Sequence, residues 1–241
     1  MATATLKLSF VLANVVAVYA SYTPPNAPPD SKDISTYAMR TDTKDAVSSI
    51  VWIAIPTLRH DLPRRQLLST TCPDLPVVQY LGDVVFPSNA KPLSPLNFYP
   101  STPFVCGSLV MYVSTYLRLL CFRTLRRHFT LELSFQKDHK LITSGPYAVV
   151  RHPSYLAATC LVGAMAIVAF FSPGTWWWES GMWHTWQGQL FGGLWLALSA
   201  VIMWMLLMRV PKEDLMLRTE FKEKWVDWKR KTPYAVIPSV W

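Results

Sequence analysis

The chain reads as an all-α protein, a polytopic membrane helix bundle of four to five transmembrane helices. Three observations lead there. Charged residues make up 16% of the 241 and hydrophobic residues 51%, where a soluble domain carries about 25% charged. Several uncharged apolar runs approach the ~20 residues that cover about 30 Å of hydrocarbon. The cations gather beside those runs: residues 123–155 hold six Lys/Arg against two acids, and residues 209–231 hold eight against five. Clusters of that kind mark cytosolic loops. The formal charge of +8 would fit a nucleic-acid partner only if the cations lined a soluble face. They do not, and no nucleic acid is expected.

Residues 6–20 are apolar and run into "VYAS", residues 18–21, with small or β-branched residues where a signal peptidase would look. A cleaved signal is one reading. We read a retained first helix, because a chain with later spans can use its first as the anchor. The proline-rich "TPPNAPPDSKD" that follows is an extended linker. Residues 46–58 form a short candidate for a further span, and residues 59–100 are rich in prolines and turns. The chain thus divides into 1–100, membrane helices and proline-rich linkers, and 101–241, which holds the better defined elements.

A helix over 102–122 runs through Arg118 in an otherwise apolar stretch. A second, over 155–171, is stopped by Ser172-Pro173-Gly174. A third, over 188–208, comprises 21 uncharged residues and ends at Arg209. The loop between the last two, "SPGTWWWESGMWHTWQ", has five tryptophans and one acid, a composition suited to the headgroup layer. Pro211 is expected to disturb the helix exit. Beyond it Leu217, Phe221, Trp225 and Trp228 recur at spacings of four, four and three, the pattern of an amphipathic helix over 212–230. Its apolar side either packs on protein or lies on the bilayer. Cys72, Cys106, Cys121 and Cys160 make no C-x-x-C pair and read as small apolar residues, so no metal is expected.

If both basic segments are cytosolic, the helices 155–171 and 188–208 form a hairpin between them. Two polar blocks then share one membrane face: "HKLITSGPYAVVRHPSY", residues 139–155, and "RVPKEDLMLRTEFKEKWVDWKRKTPYAVIP", residues 209–238. Each residue alone has a plain reading. Arg151 and His152 could anchor an interface, Arg209 could be a stop signal, and Glu213 could pair with Arg209 at i,i+4 for a few tenths of a kcal/mol.

Together, in this order and spacing, the two blocks resemble the isoprenylcysteine carboxyl methyltransferases. The resemblance covers roughly residues 100–241, and the "TPPNAPP" linker is similar to fungal members. It implies a membrane enzyme of the endoplasmic reticulum with a cofactor pocket on the cytosolic face. The implied activity is methylation of the C-terminal carboxylate of prenylated cysteine in CaaX-processed proteins, with S-adenosyl-L-methionine as cofactor. By motif position, His139, Lys140, Leu141, Ile142, Tyr147, His152, Pro153, Ser154, Tyr155 and Glu213 would hold the cofactor, with Glu132 placed only by its distance before His139. Arg209 would hold the substrate carboxylate, and Arg151 would play a supporting role by pairing with an acid. Gly145-Pro146 would fix the turn between the cofactor segments.

The chain departs from the family at Lys222, usually glycine, at Ala235, near which the family carries arginine, and at Asp214, usually glutamate. A prenylcysteine carboxylate is already ionised at neutral pH, its pKa being about 3.5, so the reaction requires alignment and exclusion of water rather than a general base. Two rivals stand beside this reading: a phospholipid or other small-lipid methyltransferase, and a catalytically degenerate membrane scaffold.

Overall fold

The structure, a computed structural model, describes residues 2–26, 99–130 and 140–240. Within them the chain is helical, with no strand among the described residues. The helices are α1 (Ala2–Tyr22), α2 (Thr102–Leu125), α3 (Pro153–Phe170), α4 (Trp176–Glu179), α5 (Trp186–Phe221) and α6 (Glu223–Lys231), with short 3-10 turns at Arg126–His128, Gly145–Ala148 and Met182–His184. Four of them, α1, α2, α3 and α5, are long and apolar enough to cross a membrane. Their outward side chains are apolar as well: Val113, Leu194 and Trp204 are each more than half exposed. That is the surface expected of helices solvated by lipid. The candidate span over 46–58 lies outside the described residues.

Local chemistry sets most helix ends. Pro153 opens α3 at the first helical position, where its missing N–H costs nothing. The Thr185 hydroxyl accepts from Gly188 N–H at 3.1 Å and caps the start of α5. In α6, Glu223 lies in the first turn and Lys229, Arg230 and Lys231 in the last, which complements the helix dipole at both ends.

The expected division into helices 188–208 and 212–230 is corrected. Trp186–Phe221 is one helix of 36 residues that continues through Pro211, and Glu223–Lys231 is a separate short one. Proline inside a helix costs about 3 kcal/mol. Tertiary contacts on both sides offset this: Val210 packs with Ala235 and Val236, and Met216 and Leu217 pack with Trp225 and Trp228. The break comes instead at Lys222, with φ 47° and ψ −115°.

Two compact units are distinguishable. Among the described residues, the first comprises 2–19, 99–113 and 160–201. There Lys7 is fully buried, donates to the Gly174 carbonyl and lies 5.3 Å from the Phe104 ring centre. Gly174 has φ 77°, and a Cβ on it would stand 2.3 Å from the Tyr99 carbonyl oxygen, so no other residue fits. The tryptophan loop divides in two. Trp177 is buried with Phe170 and Met182, whereas Trp178 and Trp186 are 46% and 69% exposed.

Among the described residues, the second unit comprises 20–26, 114–130, 140–159 and 202–240. Cys121, Tyr147, Met216, Leu217, Trp225 and Trp228 form one buried apolar cluster in it. The apolar stripe of the C-terminal segment therefore packs on protein. Val210, Ala235 and Val236 form another, with Tyr155, Leu156 and Leu207 against it.

Candidate functional site

The site lies within the second unit and is assembled from residues 145–155, the 209–214 stretch of α5 and the tail after α6. Gly145 has φ 63°, a conformation glycine adopts without strain, and Pro146 follows it into a 3-10 turn. Val149 closes the turn in the α region, at φ −95° and ψ −50°, and residues 150–152 then belong to no helix. Arg151 and His152 thus have free backbone donors, and the tail takes both. Arg151 N–H donates to the Tyr234 carbonyl at 3.0 Å and His152 N–H to the Ala235 carbonyl at 2.7 Å. The Trp228 indole donates to the Tyr147 carbonyl at 3.1 Å, and Thr232 Oγ1 to the Ala148 carbonyl at 3.3 Å. Arg151 Nη1 reaches the carbonyls of Thr232 and Pro233 at 3.0 and 2.5 Å.

Two acids on α5 organise the side chains. Asp214 holds Arg151 in a two-pronged contact, Nη2 to Oδ2 at 3.0 Å and Nε to Oδ1 at 3.4 Å. The same Oδ1 meets His152 Nε2 at 3.0 Å. Glu213 Oε2 accepts from the Tyr155 hydroxyl at 2.7 Å and lies 3.6 Å from His152 Nδ1. The His152 and Tyr155 rings stack at 5.8 Å, 19° apart. Arg209, one turn before Glu213, is 4% exposed and within electrostatic range of it.

Burial alone would push the His152 imidazole pKa down. Glu213 and Asp214, by charge and hydrogen bonding, overcome that and raise it to about 9. His152 is then an imidazolium at neutral pH, with a proton on each nitrogen for each acid. Arg151, His152 and Arg209 stand against Glu213 and Asp214, three cations to two carboxylates. The corner carries one positive charge in excess.

Of the residues expected from the sequence, the structure brings His152, Tyr155 and Glu213 into direct contact. Tyr147 lies in the neighbouring apolar cluster, with Leu141 packed against it; burial holds its phenol pKa well above the usual value, and Glu213 and Tyr155 are within electrostatic reach. Lys140 is exposed and Ile142 half-buried, both outside any helix. Pro153 is buried at the start of α3, and Ser154 turns to Arg118. Glu132 and His139 lie outside the described residues. Arg151 pairs with an acid as expected, and that acid is Asp214. The role of Asp214 was missed, since only its difference from glutamate drew notice. A second acid beside Glu213, at the mouth of an apolar span rich in cations, was the available signal.

Residues 107–174 match the model of the isoprenylcysteine carboxyl methyltransferase family. A curated relative, protein-S-isoprenylcysteine O-methyltransferase B of Arabidopsis thaliana, is 24% identical over 163 residues, 66% of this chain and 68% of its own length.

Proposed function

We propose, for a chain whose residues 107–174 match the model of the isoprenylcysteine carboxyl methyltransferase family, that it transfers a methyl group from S-adenosyl-L-methionine to the C-terminal carboxylate of a prenylated cysteine. The observation that carries this reading is the corner in which two segments about sixty residues apart in sequence meet: Arg151, His152 and Tyr155 on one side, Glu213 and Asp214 on the other.

The corner suits both ligands. The hydrogen bonds described for Glu213 fall on Oε2, and its side chain keeps 27% exposure, so the carboxylate can also face an ammonium or ribose hydroxyl. Bound there, the cofactor would supply an electrophilic methyl on a sulfonium. Tyr155 and His152 hold the Glu213 carboxylate in one orientation. Arg209, buried on the same face of α5, offers a planar fork for a carboxylate, and the excess positive charge favours an anion over a neutral acceptor. The nucleophile is ionised without help, so the residues need only align the two reactants and exclude water. Exposed apolar side chains of α5, Trp204 and Met208 among them, suit contact with lipid and with a prenyl chain. The basic segments beside the spans support a cytosolic orientation of this face, and the proposed compartment is the endoplasmic reticulum.

The test is methyl transfer from labelled cofactor in membranes containing the protein. N-acetyl-farnesylcysteine is the expected acceptor. Greater transfer to phosphatidylethanolamine would assign the chain to the lipid methyltransferases, and failure to bind the cofactor would make it a scaffold.

A further inference from the structure

Arg118 has no part in the site as described, yet it is among the least expected side chains in the molecule. It lies within α2, in an apolar run long enough to cross a membrane, and is 6% exposed. Arginine at the centre of a span costs about 2.5–3.5 kcal/mol by insertion scales, and such residues are rarely retained without a role. Its hydrogen-bond partners are neutral. Nε donates to the Ser21 carbonyl at 2.6 Å, and Nη1 to the Ser154 carbonyl and hydroxyl at 3.2 and 2.9 Å. The rings of Phe122, Tyr22 and Phe129 surround the guanidinium at 5.3, 5.9 and 6.0 Å.

These contacts join two helix ends. Ser21 lies in the last turn of α1, where carbonyls lack partners within the helix. Ser154 is the second residue of α3, between His152 and Tyr155. Phe122 and Phe129 hold the guanidinium from the end of α2 and from the residues after it. Tyr147 and Tyr155 are within its electrostatic range.

We propose that Arg118 is a positioning residue for the corner formed by His152, Tyr155 and Glu213: by fixing Ser154 to the end of α1 it sets where α3 starts, and so where both rings meet the acid. The proposal rests on reading that corner as the cofactor site. The Tyr155 bond to Glu213 is 2.7 Å and the ring stack 19° from parallel, and a shift of about 1 Å in such a contact can cost a hundredfold in rate. A single guanidinium donates to Ser21 and Ser154 from different nitrogens. A lysine ammonium is one point charge and cannot hold both in that geometry.

The experiment uses Arg118→Lys and Ser154→Ala in the full-length protein. Readouts are both Michaelis constants, the unfolding temperature in detergent, and amide exchange over residues 152–159 and 176–184. Arg118→Lys is expected to raise the Michaelis constant for S-adenosyl-L-methionine about tenfold or more, leaving that for N-acetyl-farnesylcysteine within about twofold. Exchange should quicken over 152–159 and stay unchanged over 176–184. Ser154→Ala should do the same in weaker form, because the carbonyl contact survives. A lower unfolding temperature with both constants and the local exchange unchanged would overturn the proposal and leave Arg118 a helix fastener. If Arg118→Lys does not accumulate, Ser154→Ala decides by the same readouts. If the wild type transfers no methyl group while local exchange still responds, the positioning stands and the enzymatic reading fails.

Discussion

Removing the charge of Asp214 leaves Arg151 and His152, each no more than 5% exposed, without the carboxylate they share. Breaking a buried ion pair from one side costs about 3–5 kcal/mol, so Asp214→Asn is expected to lower the unfolding temperature by several degrees. An unchanged melting curve would show that the acid is dispensable to the fold. His152 gives a pH dependence with a definite sign. Its pKa rises from the usual 6.5 to about 9 on folding, so its stabilisation is complete below about pH 6.5 and is lost as pH climbs through 9. At most about 3 kcal/mol is involved, at 1.36 kcal/mol per unit. Unfolding temperatures measured from pH 6 to 10 should fall on the alkaline side, and His152→Gln should flatten that fall. In the proposed reading, Arg209 serves the substrate and Glu213 the cofactor. Arg209→Lys keeps the charge but loses the fork and should cut turnover by about a hundredfold. Glu213→Gln should chiefly raise the Michaelis constant for S-adenosyl-L-methionine. If the two residues served only as an i,i+4 pair, both variants would stay near normal, since such a pair contributes under about 1 kcal/mol.

Lys222 shows what a helix boundary costs when the residue does not match its backbone. It separates α5 from α6 at φ 47° and ψ −115°, a conformation costing a side-chain-bearing residue on the order of 1–3 kcal/mol. Glycine carries no such penalty there, so Lys222→Gly is expected to raise stability by about 1 kcal/mol, read as a higher unfolding temperature. A loss would mean that the lysine side chain contributes more than the backbone strain removes. The sequence marked this position only as a departure from the family. It could not show the break, because the leucine, phenylalanine and tryptophan stripe keeps its spacing across it. Pro211 misled in the opposite direction. Read alone it ends a helix, but packing of Val210 below it and of Met216 and Leu217 above it carries the helix on. Starts and stops written in local chemistry, such as Pro153 and Thr185, were closer to legible. Those decided by contact with distant chain were not.

At the scale of the molecule, length and apolar composition made the all-α class and the long helices legible, because a span needs no partner to announce itself. The resemblance of the two polar blocks marked His152, Tyr155 and Glu213, which the structure brings together, yet the pairing of Asp214 with Arg151 spans 63 residues of sequence and left no periodic trace. Arg118 was visible as a charge in an apolar run, without its partners. Sidedness follows from charge rather than from contacts, and it is testable separately. Residues 123–155 and 209–231 carry net charges of +4 and +3, while the loop between α3 and α5 has Glu179, His184 and four tryptophans without a lysine or arginine. Cations are retained on the cytosolic side, so a tag within residues 128–138 and one after Trp241 should both be reached by a cytosolic protease in sealed microsomes. A tag beside Glu179 should be reached only after detergent opens the vesicles. Two crossings separate the basic segments, and an even number returns the chain to its starting side. Protection of one basic-segment tag and cleavage of the other would therefore break the hairpin, and with it the assignment of Arg151 and Asp214 to a single cytosolic corner.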